Sequence, residues 1–238
     1  MINLAARTSG IDNAILRRAL PFALFMAFIA IDEGLQIATR WHWLSVPDTV
    51  VYYLYPVKTV AVAALLVRYR GIYRELRLKD LLEWKRTAAA LLAGLLTLAL
   101  WVSIDSTLSV TGAPRGFNPT LLPEGPVRLL MTLTRVAGAV LVVPVMEELF
   151  WRSFLLRYLI DPDFESVPIG RLTLSAFLIT TVLFGLEHHL FLAGMAAGAI
   201  YNLVLYQTRS LAQCVLAHAV TNLGLAVYVL YTGKWYFW

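Results

Sequence analysis

Two adjacent carboxylates, Glu147 and Glu148, and the guanidinium of Arg152 lie in an otherwise apolar stretch of the chain. Ionisable groups in such surroundings are costly and mark function. On a helix Glu148 and Arg152, four apart, share a face and neutralise each other, while Glu147 points about a hundred degrees away. One carboxylate is then supported and one is free. A free carboxylate in a low-dielectric site can serve as a general base toward water, above all where a histidine shares the proton. The same three residues also read as a buried ion pair joining two helices, and the motif alone favours neither reading.

Two later clusters have helical spacing and complementary chemistry. His188 follows Phe184 by four residues, which sets an imidazole and an aromatic ring on one face. His189 and Glu187 are its immediate neighbours and compete for the role. His218 and Asn222 are also four apart and offer a pair of hydrogen-bond donors from one stripe, which is what an oxyanion requires. Taken alone, that pair reads at least as well as interhelical hydrogen bonding. Pro144, three residues before Glu147, can kink its helix and free backbone carbonyls nearby.

The elements that must position these groups are membrane helices. Of the 238 residues 59% are hydrophobic and 15% charged, with a mean hydropathy of +0.69. That composition excludes an ordinary soluble domain of this size, and the long apolar runs exclude the alternating strands of a transmembrane barrel. The expected class is all-α, a polytopic membrane bundle forming a single domain over 1–238, with a core over 127–231 that carries the motifs. Plausible spans are 20–38, 50–67, 87–104, 127–160, 172–187, 190–207 and 211–231. That gives about seven crossings, or eight if the long fourth segment is two helices.

The net charge of +5 comes from basic residues clustered between apolar runs, so topology and lipid headgroups explain it and nucleic acid does not. Arg68, Arg70, Arg74, Arg77, Lys79, Lys85 and Arg86 predict a cytoplasmic joint between the second and third spans, and hence a cytoplasmic amino terminus. Leucines interleaved there suit either an amphipathic helix on the inner leaflet or a plain basic loop. Pro and Gly over 105–126 predict an irregular outer loop. Asp32 and Glu33 within the first span argue for a retained helix rather than a removed signal peptide. Cys214 is the only cysteine, so disulfides within the chain and Cys-based zinc sites are excluded. Gly194 and Gly198 predict a close approach of two helices.

Glu147-Glu148-x-x-x-Arg152, Phe184-x-x-x-His188 and His218-x-x-x-Asn222, in this order on successive apolar segments, resemble the three signature motifs of the CAAX protease and bacteriocin-processing family. That family, also called Abi, includes the type II CAAX prenyl endopeptidases. The resemblance covers 127–231, and a looser one, of length and layout, is to the exosortase-associated CAAX prenyl protease-related branch. It implies a glutamate-dependent intramembrane endopeptidase in which Glu147 activates water with His188. His218 and Asn222 would stabilise the oxyanion, Glu148 and Arg152 would fix the architecture, and Phe184 would pack beside the imidazole. It implies no cofactor or metal, a membrane-anchored or lipidated peptide substrate, and a multi-pass protein of a prokaryotic inner membrane.

Three rivals carry other chemistry. Glu147, His188 and His218 could instead hold zinc, although no His-Glu-x-x-His helix is present. Asp32, Glu33 and Lys58 within the first two spans could line an ion path. A catalytically retired scaffold or immunity protein could keep the fold. One geometric tension also stands: straight helices put His188 and Glu147 at depths about 10 Å apart, which a tilted or broken helix around Gly185, or an interfacial stretch over 127–135, would resolve.

Overall fold

The computed structural model describes residues 4–45, 47, 49–104 and 116–238. Its helices are α1 (Leu4–Arg40), α2 (Val50–Tyr69), α3 (Trp84–Ser103), α4 (Pro126–Tyr158), α5 (Leu174–Leu186), α6 (Phe191–Thr208) and α7 (Leu211–Thr232). No strand occurs among the described residues, so the chain is all-α. Five helices, α1 from Asp12 together with α2, α3, α4 and α7, are long and apolar enough to cross a membrane. Their outward side chains include Val60, Leu92, Leu141 and Val227, all exposed, as suits a surface bathed in lipid rather than water.

The expected long segment forms one continuous helix, α4, rather than two. It is not uniform: π-helical turns at Gly138–Val142 and Leu149–Leu155 flank the α-helical Val143–Glu148. Such bulges re-aim side chains by widening the turn, and they concentrate at functional sites. The 172–187 segment, expected as a crossing, forms the 13-residue α5. At 1.5 Å per residue that is about 20 Å, short of a hydrocarbon core of about 30 Å. The chain leaves the helix after Leu186 and re-enters at Phe191, so His188 stands in a break between two short helices. The break brings the end of α5 against α4, where Glu187, the neighbour of His188, accepts from Trp151 Nε1 at 3.0 Å.

Small residues let α5, α6, α3 and α7 approach closely. A Cβ on Gly198 would lie 3.1 Å from the Cβ of Phe184, and one on Gly194 would lie 3.0 Å from the Cα of Gly185 and 3.1 Å from the Cβ of His188. The Gly194/Gly198 pair therefore seats α6 against the aromatic-imidazole face of α5, where tight packing substitutes for a hydrophobic driving force that lipid does not supply.

The basic joint between α2 and α3 folds as a short 3-10 turn, Leu78–Leu82, rather than an amphipathic helix. Leu78, Leu82 and Trp84 face outward, while Asp80 turns inward and accepts from the Ser210 hydroxyl across 2.7 Å. Gln213 Nε2 donates to Asp80 O at 2.9 Å and so ties the same turn to α7. A second buried polar cluster anchors α1. Arg18 pairs with Glu75 at 2.7 Å and with Glu165 at 2.9 Å, and the Ser153 hydroxyl of α4 donates to Glu75. Arg157 completes this set through Ser153 Oγ at 3.0 Å and Val167 O at 3.1 Å. The buried guanidinium groups of Arg18 and Arg157 face the buried Glu75, with the half-exposed Glu165 as a second carboxylate at the edge, so the buried charges are paired. Most of the predicted outer loop, 105–115, lies outside the described residues.

Candidate active site

The site forms where the α-helical segment of α4 meets α5, α6 and α7. Glu148 and Arg152 are fully buried and pair at 3.2 Å, as i,i+4 spacing allows. Arg152 is satisfied on every side. Its Nε donates to Asn202 Oδ1 at 3.2 Å, its Nη2 donates to Gly198 O at 3.1 Å, and its plane lies 4.5 Å from the Phe184 ring and 5.4 Å from that of Tyr201. Asn202 is itself held, its amide donating to Thr180 Oγ1 at 3.0 Å and Thr181 Oγ1 at 3.3 Å. Asn202 stands one turn beyond Gly198 on α6. An amide in an apolar run, one turn from a glycine, is the signal in the sequence that marks it.

His218 comes from α7 and meets both carboxylates. Nδ1 is 3.0 Å from Glu148 Oε1, and Nε2 is 3.9 Å from Glu147 Oε2. The first is a hydrogen bond in which Nδ1–H donates to the carboxylate, and the second is longer than one. The ring stacks on Tyr201 at 4.9 Å and 22°, and Tyr201 OH donates to Thr221 Oγ1 at 2.8 Å. Glu148 is therefore doubly supported, by a guanidinium and an imidazole. Both bonds end on Glu148 Oε1, and the Oε2 atoms of both acids are buried without a partner; Glu147 differs in that no hydrogen bond reaches it at all among the described residues. Two nearly identical acids thus occupy different environments, and the difference follows from their positions on the α4 helix.

His188 presents the complementary case. Its Nδ1 lies 2.7 Å from Phe184 O, a carbonyl that can only accept, so Nδ1 carries the proton. In the neutral ring Nε2 is then a free lone pair, suited to accept from water. Phe184, at 4.8 Å, and Trp101, at 5.2 Å, wall the ring. Its competitor His189 points elsewhere, with Nε2 3.0 Å from Tyr236 O in the carboxy-terminal turn. Glu187 accepts from Trp151 Nε1 at 3.0 Å and forms another side of the same pocket of charge. Trp151 and Glu187 are contributors that the sequence motifs did not single out as a pair.

Asn222 sits one turn beyond His218 on α7 and donates through Nδ2 to Ala139 O at 2.8 Å. One of its two amide protons is thereby engaged and the other remains free. His218 offers a second donor toward the site when its Nε2 is protonated. Among the described residues no group of three or more His, Cys, Asp or Glu is arranged to hold a metal ion. Altogether the arrangement can activate a water with a carboxylate, share its proton with imidazole, and present donors to a developing negative charge.

Comparison with curated proteins and with solved structures gives no match. A family model does match, and with the apolar helices it makes the chain an integral membrane protein. Residues 128–224, the segment that carries Glu147, Glu148, Arg152, Phe184, His188, His218 and Asn222, match the family described as Rce1-like, type II CAAX prenyl endopeptidase Rce1-like.

Proposed function

We propose that the chain is a glutamate-dependent intramembrane endopeptidase acting on a membrane-anchored or lipidated peptide. The observation that carries this reading is the asymmetry of the two acids. Glu148 Oε1 is bound by Arg152 and His218, whereas among the described residues no hydrogen bond reaches Glu147, with His218 Nε2 3.9 Å away; the Oε2 atoms of both acids are buried without a partner. Glu147 takes a proton from a water whose other contact is the Nε2 lone pair of His188, and the resulting hydroxide adds to the scissile carbonyl. The carbonyl oxygen becomes an oxyanion held by the free Asn222 amide proton and, when His218 carries a proton on both ring nitrogens, by its Nε2–H while Nδ1–H stays on Glu148. Collapse breaks the C–N bond, and Glu147 returns its proton to the leaving nitrogen, so that one water is consumed and two termini are produced. Such positioned acid–base and oxyanion groups each contribute about 10²- to 10⁴-fold.

The test is cleavage of membrane peptides by the purified chain in detergent. Glu147→Gln abolishes turnover while the thermal unfolding midpoint holds, and the uncleaved species accumulates in cells carrying the variant. Treatment with a chelator leaves wild-type cleavage intact. Unchanged turnover in Glu147→Gln, or loss on chelation that zinc alone restores, would remove the proposal.

A further inference from the structure

A second cluster of charge lies between α2 and α4, outside the motifs. Lys58 Nζ sits 4.1 Å from the centroid of the Phe25 ring and 4.9 Å from that of Tyr55. Arg135 approaches the same Tyr55 ring at 4.5 Å and the Trp238 ring at 5.7 Å. The shared ring puts the two cations within about 10 Å of each other, where like charges in a poorly screened setting repel. Among the described residues neither has a carboxylate at ion-pair distance; Lys58 feels only the more distant Asp32, whose Oδ1 accepts from Gln36. Two further polar atoms beside them are buried without partners, Arg135 Nε and Thr59 Oγ1. Orphaned donors next to cations without a carboxylate partner among the described residues, within membrane helices, suit the binding of an anion.

The position of this cluster indicates what the anion is. Tyr55 OH donates to Arg135 O at 3.3 Å, and the hydroxyls of Tyr55 and Thr59 press on Gly138 so closely that a Cβ there would meet them at 2.7 and 2.8 Å. The next residue, Ala139, carries the carbonyl that Asn222 binds. Arg135 and Ala139 are four apart on α4, about 6 Å along the axis, a distance that about two residues of extended peptide span. Lys58 is eight positions into α2 and Arg135 nine into α4, about 12 to 14 Å from the helix starts, well below where a headgroup phosphate rests. A guanidinium fork also matches a planar carboxylate.

We propose that Lys58, Arg135 and Thr59 form a binding site for a carboxylate of the peptide substrate, located about two residues from the scissile carbonyl. This assignment rests on the endopeptidase reading above. The carboxylate is either the free end of the peptide or an acidic side chain near the cut, and both present the same chemistry to the site.

The test is binding of three N-palmitoylated hexapeptides to the full chain carrying Glu147→Gln in detergent. One has a free carboxy terminus and no acidic side chain, one has a carboxamide terminus and a Glu, and one is an uncharged carboxamide. At least one charged peptide binds about ten-fold more tightly than the uncharged one. That ratio falls to about one in Arg135→Gln and Lys58→Gln and is largely kept in Arg135→Lys, whose unfolding midpoint controls for folding. Which charged peptide binds identifies the source of the carboxylate. Equal binding of all three overturns the proposal, as does a ratio indifferent to the variants or abolished by added phosphatidylglycerol. Cleavage of the same peptides by the chain with Glu147 intact is read separately. A ratio without turnover removes the endopeptidase reading and leaves the anion site, and turnover without a ratio does the reverse.

Discussion

Asn222 on α7 binds the carbonyl of Ala139 on α4 across 2.8 Å, and Pro144 is what leaves that carbonyl available. In the π-helical turn Val143 N–H bonds Gly138 O, five residues back. Continuing that register, the donor to Ala139 O would be the N–H of residue 144, which a proline lacks. The amide of Asn222 occupies the vacancy, so a backbone defect fixes a side chain that faces the candidate reaction centre.

Replacing Pro144 by Ala supplies the missing N–H and lets α4 compete for Ala139 O. Pro144→Ala is expected to keep or raise the unfolding midpoint, because an interior proline is unfavourable in a helix, while turnover of a cleavable membrane peptide falls about ten-fold. Asn222→Ala removes the donor itself and is expected to cost about 10²-fold in kcat with a smaller change in KM. Full activity in Pro144→Ala would show that the freed carbonyl does not position Asn222.

Arg152→Met deletes the cation between Glu148, Asn202 and Gly198 O and leaves a buried carboxylate with the imidazole of His218 as its remaining partner. Breaking such a pair costs about 3 to 5 kcal/mol, so the detergent-solubilised variant should unfold at a clearly lower temperature. Arg152→Met combined with Glu148→Leu should recover much of that loss but no cleavage. A double variant as unstable as the single one would mean that the guanidinium acts through its contacts to α6 rather than through Glu148.

Much of this was legible in the residues. Apolar runs announced a helical membrane bundle, and i,i+4 spacing announced the Glu148–Arg152 pair, because both depend on local chain geometry. Pro144 announced freed carbonyls in α4, but not which partner takes them, and the early stop of α5 was not announced, since these depend on contacts made across helices: Asn222 on Ala139, and α6 glycines against Phe184 and Gly185. For the same reason spacing alone left His188 and His189 in competition, and only the family resemblance named His188; the two differ in what their rings meet, Phe184 O and Tyr236 O. The spacing of Lys58 and Arg135 carried no signal at all, because only the packing of α2 on α4 brings them to one Tyr55 ring.

Gly198 tests how closely the site depends on that packing. A Val there places a Cβ 3.1 Å from the Cβ of Phe184 and adds two methyl groups beyond it. Phe184 touches His188, Arg152 and His218, so its displacement should disturb all three. Gly198→Val is expected to lose about 1 to 3 kcal/mol of stability through overpacking and more than 10²-fold in activity, whereas Gly198→Ala retains measurable turnover. Equal activity of Val and Gly would show that α6 does not set the position of Phe184.

The Arg18–Glu75 cluster gives the fold an acid-sensitive latch between α1 and the carboxy-terminal end of α4. Burial by itself pushes the Glu75 carboxyl up, but the hydrogen bond and charge of Arg18 and the Ser153 hydroxyl outweigh it and hold the group below its ordinary range. A depressed folded-state pKa means that the stabilisation is fully present above the unfolded value of about 4.3 and is lost as pH falls through the folded one. The unfolding midpoint in detergent should therefore hold from pH 7 to about 5 and drop on further acidification. Glu75→Gln starts lower at neutral pH, because Arg18 loses its charged partner, and should show a flatter acid limb. An acid limb equally steep in Glu75→Gln would assign the pH response to other carboxylates.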